Sequence, residues 1–253
     1  MTEKPPHVMI LGVRVDRVSV AGALRILAQL AVDGRPHQVV TVNPEFIMTA
    51  QENARFREVI NAADLALPDG IGVVWASRRL GRPASERVAG VDMVRALARF
   101  AAGHGMRPFL LGAGPGVAEA AAAALQAENP GLQIAGVYAG SPAPEEEAHI
   151  VGLIEAARPD FLFVAYGAPQ QDVWIARNQG RLRVPIAMGV GGTLDFIAGK
   201  SRRAPRWMQR LGLEWLHRLI MESWRWRRML ALPRFAYRVL TSARGDDGSW
   251  ESV

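Results

Sequence analysis

One acidic side chain in this 253-residue chain has the position expected of a general base. Asp69 stands between Pro68 and Gly70, directly after a short apolar run that predicts a β-strand. Ligands of open parallel sheets bind beyond the carboxyl ends of the strands, and a single well-placed carboxylate there can deprotonate a hydroxyl group. The alternative is that Asp69 caps the helix predicted over 71–80. The local sequence supports both interpretations equally.

Thr41 and Asn43 supply hydrogen-bonding groups at the end of a second predicted strand, over 38–42. Because the carboxyl ends of parallel strands meet at one edge of the sheet, both residues would flank the cleft that holds Asp69. Asn43 precedes Pro44, however, and Asn-Pro is also an ordinary turn sequence. The candidate catalytic residues are therefore Thr41, Asn43 and Asp69, with a simple turn as the alternative for Asn43.

Four loops that follow predicted strands contain glycine or small polar residues: 41–43, 68–70, 112–116 and 189–193. Glycine lets backbone amides approach a phosphate closely, and the N-terminus of the following helix favours its negative charge. Glycine also makes tight turns without any ligand, and for any one loop this alternative is equally good. Four such loops in one sheet favour a nucleotide or phosphate ligand.

The sequence lacks the residues that several other kinds of functional site require. The glycines over 112–116 are spaced G-x-G-x-G, and the predicted strand over 132–138 has no terminal acid to hold a ribose, which disfavours a dinucleotide site. Neither a Walker A loop nor a G-x-S-x-G serine is present. The chain has no cysteine, its five histidines are scattered and D-x-D does not occur, so we predict no metal and no cofactor. The arginines that could then neutralise phosphate are Arg87, Arg203, Arg206 and Arg210.

The elements that would position these residues alternate between strand and helix along most of the chain. Strands separated by helices of about 10–15 residues are typical of βαβ units. The sequence therefore predicts an α/β fold, with a Rossmann-like parallel sheet flanked by helices. The predicted strands are 7–11, 38–42, 65–67, 107–111, 132–138, 161–165 and 185–190, and the predicted helices are 20–30, 45–63, 71–80, 92–103, 117–128 and 144–157.

The excess positive charge of the chain lies in its C-terminal part. Residues 200–253 contain 12 Lys and Arg against 5 Asp and Glu, whereas residues 1–199 contain 18 against 19, and five of the seven tryptophans also lie in this tail. Over 213–232, apolar residues repeat at about 100° per residue with arginines opposite, the pattern of a basic amphipathic helix at an anionic membrane surface. We therefore predict a catalytic domain over 1–199 and a basic, Trp-rich helical appendage over 200–253.

Contact with a membrane or with a lipid pyrophosphate is the favoured interpretation of the appendage. Packing on the body and docking over the active site are alternatives, and nucleic-acid binding is the weakest because the body has no basic surface. No apolar run could span a bilayer and no signal peptide precedes the body, so we expect a cytoplasmic protein, peripheral on the inner face of the cell membrane. The arginines expected at the lipid pyrophosphate or membrane are Arg203, Arg206, Arg210, Arg218, Arg225 and Arg228.

Eight motifs follow one another along the chain. They are TVNPE (41–45), ADLALPDGIG (63–72), ERVAGVD (86–92), FLLGAGPG (109–116), GAPQQ (167–171), GVGGTLDFIAG (189–199), RAPRWM (203–208) and GLEWL (212–216). In this order they resemble the WecG/TagA/CpsF glycosyltransferases, glycosyltransferase family 26, from about residue 8 to residue 238. One departure is Asp172, where the family pattern has Glu after Gln.

The resemblance implies an inverting, metal-independent glycosyltransferase with a UDP-sugar donor and a polyprenyl-pyrophosphate-linked sugar as acceptor. The best-known members transfer N-acetylmannosamine to undecaprenyl-pyrophosphoryl N-acetylglucosamine in a β-1,4 linkage, for cell-surface polysaccharide or teichoic acid synthesis. The resemblance also implies that Asp69 is the base, that Thr41 and Asn43 line the acceptor pocket and that the appendage supplies arginines. The substrate-binding residues are then Gly70, Arg87, Gly112, Gly114, Gly116, Gln171, Gly191, Gly192 and Asp195.

No motif specifies the donor sugar, so glucose and a mannosaminuronic acid are alternatives within the family. A nucleotide-sugar oxidoreductase is a further alternative, opposed by the missing ribose acid. A non-catalytic, membrane-associated protein that binds nucleotide sugars is another, for which Asp69→Asn would change nothing. An apolar face of the body could support a homo-oligomer.

Overall fold

A six-stranded parallel sheet forms the centre of the protein in a computed structural model that describes residues 4–210, 212–221 and 226–242. The strands are β1 (His7–Ile10), β2 (Val13–Asp16), β3 (His37–Val42), β4 (Leu65–Pro68), β5 (Pro108–Gly112), β6 (Gly136–Tyr138), β7 (Phe161–Ala165) and β8 (Ile186–Gly189). The order in the sheet is β4-β3-β8-β7-β5-β6, and each neighbouring pair is parallel. The predicted α/β fold class is therefore confirmed.

Helices cover both faces of this sheet. The helices are α1 (Val20–Leu30), α2 (Pro44–Glu52), α3 (Ala54–Ala62), α4 (Ile71–Arg79), α5 (Gly90–His104), α6 (Val117–Glu128), α7 (Pro144–Ala157), α8 (Gln170–Leu182), α9 (Thr193–Ile197), α10 (Arg206–Arg210), α11 (Glu214–Met221), α12 (Trp226–Met229) and α13 (Ala231–Thr241). One face packs against α1, α5, α6 and α9, and the other against α2, α3, α7 and α8. Strands buried on both faces are largely apolar, and β4 (LALP) and β7 (FLFVA) have no polar residue.

The first predicted strand belongs to a hairpin outside the parallel sheet. β1 pairs antiparallel with β2, a strand that was not predicted. Leu11 and Gly12 make the two-residue turn, with φ of 49° and 75°. Two successive positive φ angles match the twist of antiparallel strands in a tight hairpin, so the chain reverses here and does not enter the sheet.

Two predicted elements differ from the structure by more than one or two residues at their ends. The prediction of one helix over 45–63 is wrong, because the helix stops at Asn53 and a second one starts there. The Asn53 side-chain oxygen accepts a hydrogen bond from the Phe56 backbone N–H at 2.9 Å, which caps α3. The strand predicted over 132–138 is only three residues long, as β6 at the edge of the sheet. Helices α8 and α9 were not predicted.

The tail returns to the body. Phe235 and Val239 of α13 are 2% and 1% exposed and complete an apolar cluster with α2 and α4. The amphipathic segment predicted over 213–232 corresponds to α11, α12 and the start of α13, while residues 222–225 lie outside the described residues. None of the helices described is both long and apolar enough to cross a membrane. The division of the chain at residue 199 stays a prediction.

Candidate active site

A cavity of about 600 Å³ lies beyond the carboxyl ends of β4, β3, β8 and β7. The tail forms its opposite wall through residues of α11, α12 and α13. Cavities of this size hold small-molecule ligands. The predicted site residues that line it are Thr41, Asn43, Asp69, Gly70, Arg87, Gln171, Gly191, Gly192, Asp195, Arg203 and Arg228.

Asp69 follows β4 directly, and its backbone N–H donates to the Val42 carbonyl of β3 at 2.8 Å. This bond fixes the residue at the floor of the cavity, where its side chain is 26% exposed. Gly70 occupies the N-cap position of α4, and no side chain caps that helix. The capping alternative for Asp69 is therefore wrong, and its carboxylate is available to a ligand.

The surroundings of Asp69 favour its protonated form. Burial has the largest effect and raises the pKa of the carboxyl, and the nearby carboxylate of Glu214 raises it further. Arg87, a hydrogen bond from the Gly90 backbone and Arg203 act in the opposite direction. The net result is a raised pKa, which strengthens Asp69 as a proton acceptor.

Thr41 and Asn43 stand beside Asp69 at the end of β3, and Asn43 has a structural task as well. Its side-chain oxygen accepts a hydrogen bond from the Phe46 backbone N–H at 3.0 Å and caps α2. The local structural role expected as an alternative for Asn43 is therefore present, as a helix cap in place of a simple turn. No described residue accepts a hydrogen bond from its amide nitrogen. A Cβ on Gly90 would lie 3.6 Å from Thr41 Cγ2 and 3.2 Å from the hydroxyl of Thr193. The floor of the cavity is therefore closely packed.

Two arginines and two further acids form a chain of ion pairs along one wall. Glu214 of α11 contacts Arg87 Nη2 through one oxygen and Arg203 Nε, at 3.1 Å, through the other. Arg203 also binds both oxygens of Asp92, at 2.6 and 2.9 Å. This hydrogen bonding lowers the pKa of Asp92. The pairs attach the tail to the body beside Asp69.

Gln171 holds two loops of the cavity together. Its side-chain oxygen accepts from the backbone N–H groups of Gly167, at 3.1 Å, and Gly191, at 2.9 Å. The next residue, Asp172, has a fully buried side chain, and no described residue makes a hydrogen bond to its carboxyl oxygens within ordinary geometry. Burial raises the pKa of Asp172 to about 7. Asp172 therefore lies in the protein interior next to Gln171 and does not line the cavity.

The glycine loop over 112–116 does not line the cavity. Gly112 is required for packing, because a Cβ there would lie 2.9 Å from both the Ala165 carbonyl carbon and the Tyr166 ring. Lys200 Nζ donates to the Pro115 carbonyl at 3.0 Å on the outer side of the loop. The roles predicted for Gly112, Gly114 and Gly116 in donor binding stay predictions.

Only some of the predicted tail arginines can be located. Arg228 of α12 donates to one carboxylate oxygen of Glu45, at 2.7 and 3.1 Å, and lines the cavity. Arg206, Arg210 and Arg218 lie in α10 and α11, but their side chains are outside the described residues, as is the whole of Arg225.

Comparison with known proteins identifies the chain. Residues 8–247 match the model of the glycosyl transferase WecG/TagA/CpsF family. The chain belongs to this glycosyltransferase family. Relatives named N-acetylglucosaminyldiphosphoundecaprenol N-acetyl-β-D-mannosaminyltransferase occur in Bacillus spizizenii and Bacillus subtilis, and each is 37% identical to this chain. The first match covers 81% of this chain and 79% of the relative, and the second covers 80% of this chain and 78% of the relative. One from Staphylococcus aureus is 35% identical over 81% of this chain and 80% of its own.

Several side chains of this glycosyltransferase that line the cavity are not evident from the sequence. Glu214 was not predicted as a site residue, and its place in the GLEWL motif was the one available signal. Thr193 and Tyr166 follow β8 and β7, the strand ends that the general rule for parallel sheets identifies. Within the part of the chain that the structure describes, no group of three or more His, Asp or Glu side chains could hold a metal ion.

Proposed function

We propose that this glycosyltransferase moves N-acetylmannosamine from a UDP-sugar to the N-acetylglucosamine of a polyprenyl-pyrophosphate-linked acceptor, as its relatives' names suggest. The product has a β-1,4 linkage and belongs to cell-surface polysaccharide or teichoic acid synthesis. The observation that carries the chemistry is the Asp69 carboxylate, which lies on the cavity floor with a raised pKa and within reach of Arg87.

Asp69 acts as the general base. It takes the proton of the acceptor hydroxyl while that oxygen forms a bond to the anomeric carbon of the donor. The bond between this carbon and the phosphate oxygen breaks, and UDP leaves with the electron pair. Attack opposite the leaving group inverts the configuration. Thr41 and Asn43 flank Asp69, so their hydroxyl and amide groups can orient the acceptor.

Arginines stabilise the departing diphosphate in this proposal, without a metal ion. Arg87, Arg203 and Arg228 all line the cavity. The Nε group of Arg87 is buried and no described residue accepts its hydrogen bond. A buried, unsatisfied guanidinium N–H is costly unless a ligand accepts from it, and a phosphate oxygen is its preferred partner. Electrostatic stabilisation of this kind can account for a large part of the rate enhancement.

The tail brings the cavity to the membrane that holds the acceptor. Ile71 and Trp75 at the mouth of the cavity are 45% and 38% exposed, and Trp215 on α11 is 41% exposed. The other large apolar side chains of the tail that are exposed are Trp207, Ile220, Met221, Trp226, Leu230, Tyr237 and Leu240. Tryptophan and aliphatic side chains among arginines favour the interface of an anionic bilayer. A polyprenyl chain could therefore remain in the membrane while its sugar enters the cavity.

Release of UDP from different donors tests this function. The wild-type enzyme is incubated in EDTA with a lipid-linked N-acetylglucosamine pyrophosphate acceptor and either UDP-N-acetylmannosamine or UDP-glucose. We expect acceptor-dependent release with the first donor. Preference for UDP-glucose would assign the chain to a glucosyl-transferring branch of the family, and a strict need for a divalent ion would contradict the metal-free mechanism.

A further inference from the structure

Glu214 joins two arginines that a diphosphate would otherwise contact. It is the first residue of α11, and its side chain is 20% exposed at the cavity wall. One carboxylate oxygen pairs with Nη2 of Arg87 and the other with Nε of Arg203, so this one carboxylate links an arginine of the body to an arginine of the tail.

Arg87 is held by Glu214 and not by Asp69. Its Nε lies 3.7 Å from Asp69 Oδ1, which is beyond hydrogen-bond distance, although the two side chains face each other. An arginine beside a carboxylate normally forms a bidentate pair with it, because the fork of N–H groups matches the two oxygens. Here the guanidinium pairs with Glu214 instead. Among the groups that lower the pKa of Asp69, only the Gly90 backbone does so through a hydrogen bond.

A base that accepts two hydrogen bonds from arginine is a weak base, since the ion pair stabilises its charged form. The geometry points to Glu214 as a positioning residue that keeps Arg87 off Asp69, so that docking of α11 on the body leaves the base free to accept the acceptor's proton. This inference rests on the proposed function, because it assumes that Asp69 is the base. The opposite possibility is that Glu214 merely occupies the place of a substrate diphosphate and competes with it.

Other charged groups face the same cavity and set the background of any pH dependence. They come from each element that closes the cavity around Asp69: Glu45, Arg87, Asp195, Arg202, Arg203, Glu214, His217 and Arg228. Glu45 provides a matched control, because its pair with Arg228 is a second ion pair between tail and body that does not involve Arg87.

The experiment measures the titration of Asp69 in the full-length protein without substrate. The ¹³C signal of its carboxyl is assigned by its absence from Asp69→Asn and followed with pH in wild type, Glu214→Ala, Glu214→Gln and Glu45→Gln. We expect the Asp69 pKa to fall by about one pH unit in Glu214→Ala and to fall less in Glu214→Gln. In Glu45→Gln it should be unchanged. Thermal unfolding of each variant shows that it is folded.

Turnover completes the test. With the lipid-linked acceptor, the acidic limb of kcat should move to lower pH in Glu214→Ala and its plateau should fall about tenfold. An unmoved Asp69 titration in both Glu214 variants overturns the inference. So does a lower KM for the UDP-sugar donor or for the pyrophosphate-linked acceptor with an unmoved acidic limb, the result expected of a carboxylate that competes with a substrate diphosphate. A wild type without acceptor-dependent turnover would contradict the proposed function, whatever the titration shows.

Discussion

The Cα of Gly189, on β8, packs directly against the carboxyl group of Asp172, on α8. A Cβ at residue 189 would lie 2.3 Å from Asp172 Oδ1 and 2.7 Å from Gln171 Nε2. The Gly189 carbonyl in turn lies 3.5 Å from the Thr41 hydroxyl. One glycine therefore permits the contact between sheet and helix that places Gln171 at the cavity.

Gly189→Ala should destabilise the protein and damage the site. The added methyl group cannot avoid the buried Asp172 side chain, and overpacking of this kind costs about 1–3 kcal/mol in free energy of unfolding. Because Gln171 is displaced with Asp172, kcat/KM should fall as well. Urea unfolding measures the first effect. Gly180→Ala, in the helix that contains Asp172 and with nothing near its Cβ, is the matched control and should be neutral or stabilising. Equal stability of the two variants would contradict this contact.

Asp172→Asn should become relatively more stable as pH rises. Burial raises the pKa of Asp172 to about 7 in the folded protein, above the value of about 3.9 of an unfolded chain. Between these values the unfolded chain releases a proton that the folded one keeps, so the free energy of unfolding of the wild type falls with rising pH. Asparagine does not titrate. The stability of the variant relative to wild type should therefore increase by about 2–4 kcal/mol from pH 4 to pH 8.

The control for this titration is Asp92→Asn, for which the relative stability should change with pH in the opposite direction. Hydrogen bonds from Arg203 lower the pKa of Asp92, so its contribution to stability is lost as pH falls. The relative stability of Asp92→Asn should decrease with rising pH. Parallel pH profiles of wild type and Asp172→Asn would show that the buried carboxyl does not titrate as stated.

Much of the site can be predicted from the sequence because its residues lie at the ends of strands. Asp69 and Thr41 terminate apolar runs, and the rule that ligands bind at the carboxyl ends of parallel strands places them together without knowledge of the fold. Arg87 and Glu214, by contrast, are 127 residues apart and meet only because the tail returns to the body. Helix α8 was missed since its polar sequence has few apolar residues, and Asn53 was not recognised as a cap inside an apparently continuous helix.

Asn43→Ser should separate the two tasks of Asn43. Serine is an effective N-cap, so α2 and the thermal stability should be retained. The amide nitrogen is lost, however, and with it the hydrogen-bond donor that we assign to the acceptor. We expect kcat/KM to fall about tenfold or more while the unfolding midpoint changes little. Asn53→Ser, which alters only the cap of α3, is the control. A loss of activity in both variants would indicate a general effect of capping.

Trp207 and Ile220, which are 60% and 68% exposed, should contribute to membrane binding. The double variant Trp207→Ala/Ile220→Ala should sediment less with phosphatidylglycerol vesicles, because it loses apolar area at the bilayer interface. Binding of the wild type should weaken with salt, since the arginines of the tail act through screened charge. Val32→Ala removes a side chain that is 70% exposed on the body and should have no effect. Equal sedimentation of all three proteins would exclude this surface.

Acceptor-dependent release of UDP by wild type and Asp69→Asn tests the central claim most directly. Asparagine retains the shape of the side chain but cannot accept the proton, so kcat should fall by about 10²-fold or more, while UDP binding measured by calorimetry should remain. Retention of more than about a tenth of the wild-type kcat would show that Asp69 is not the general base.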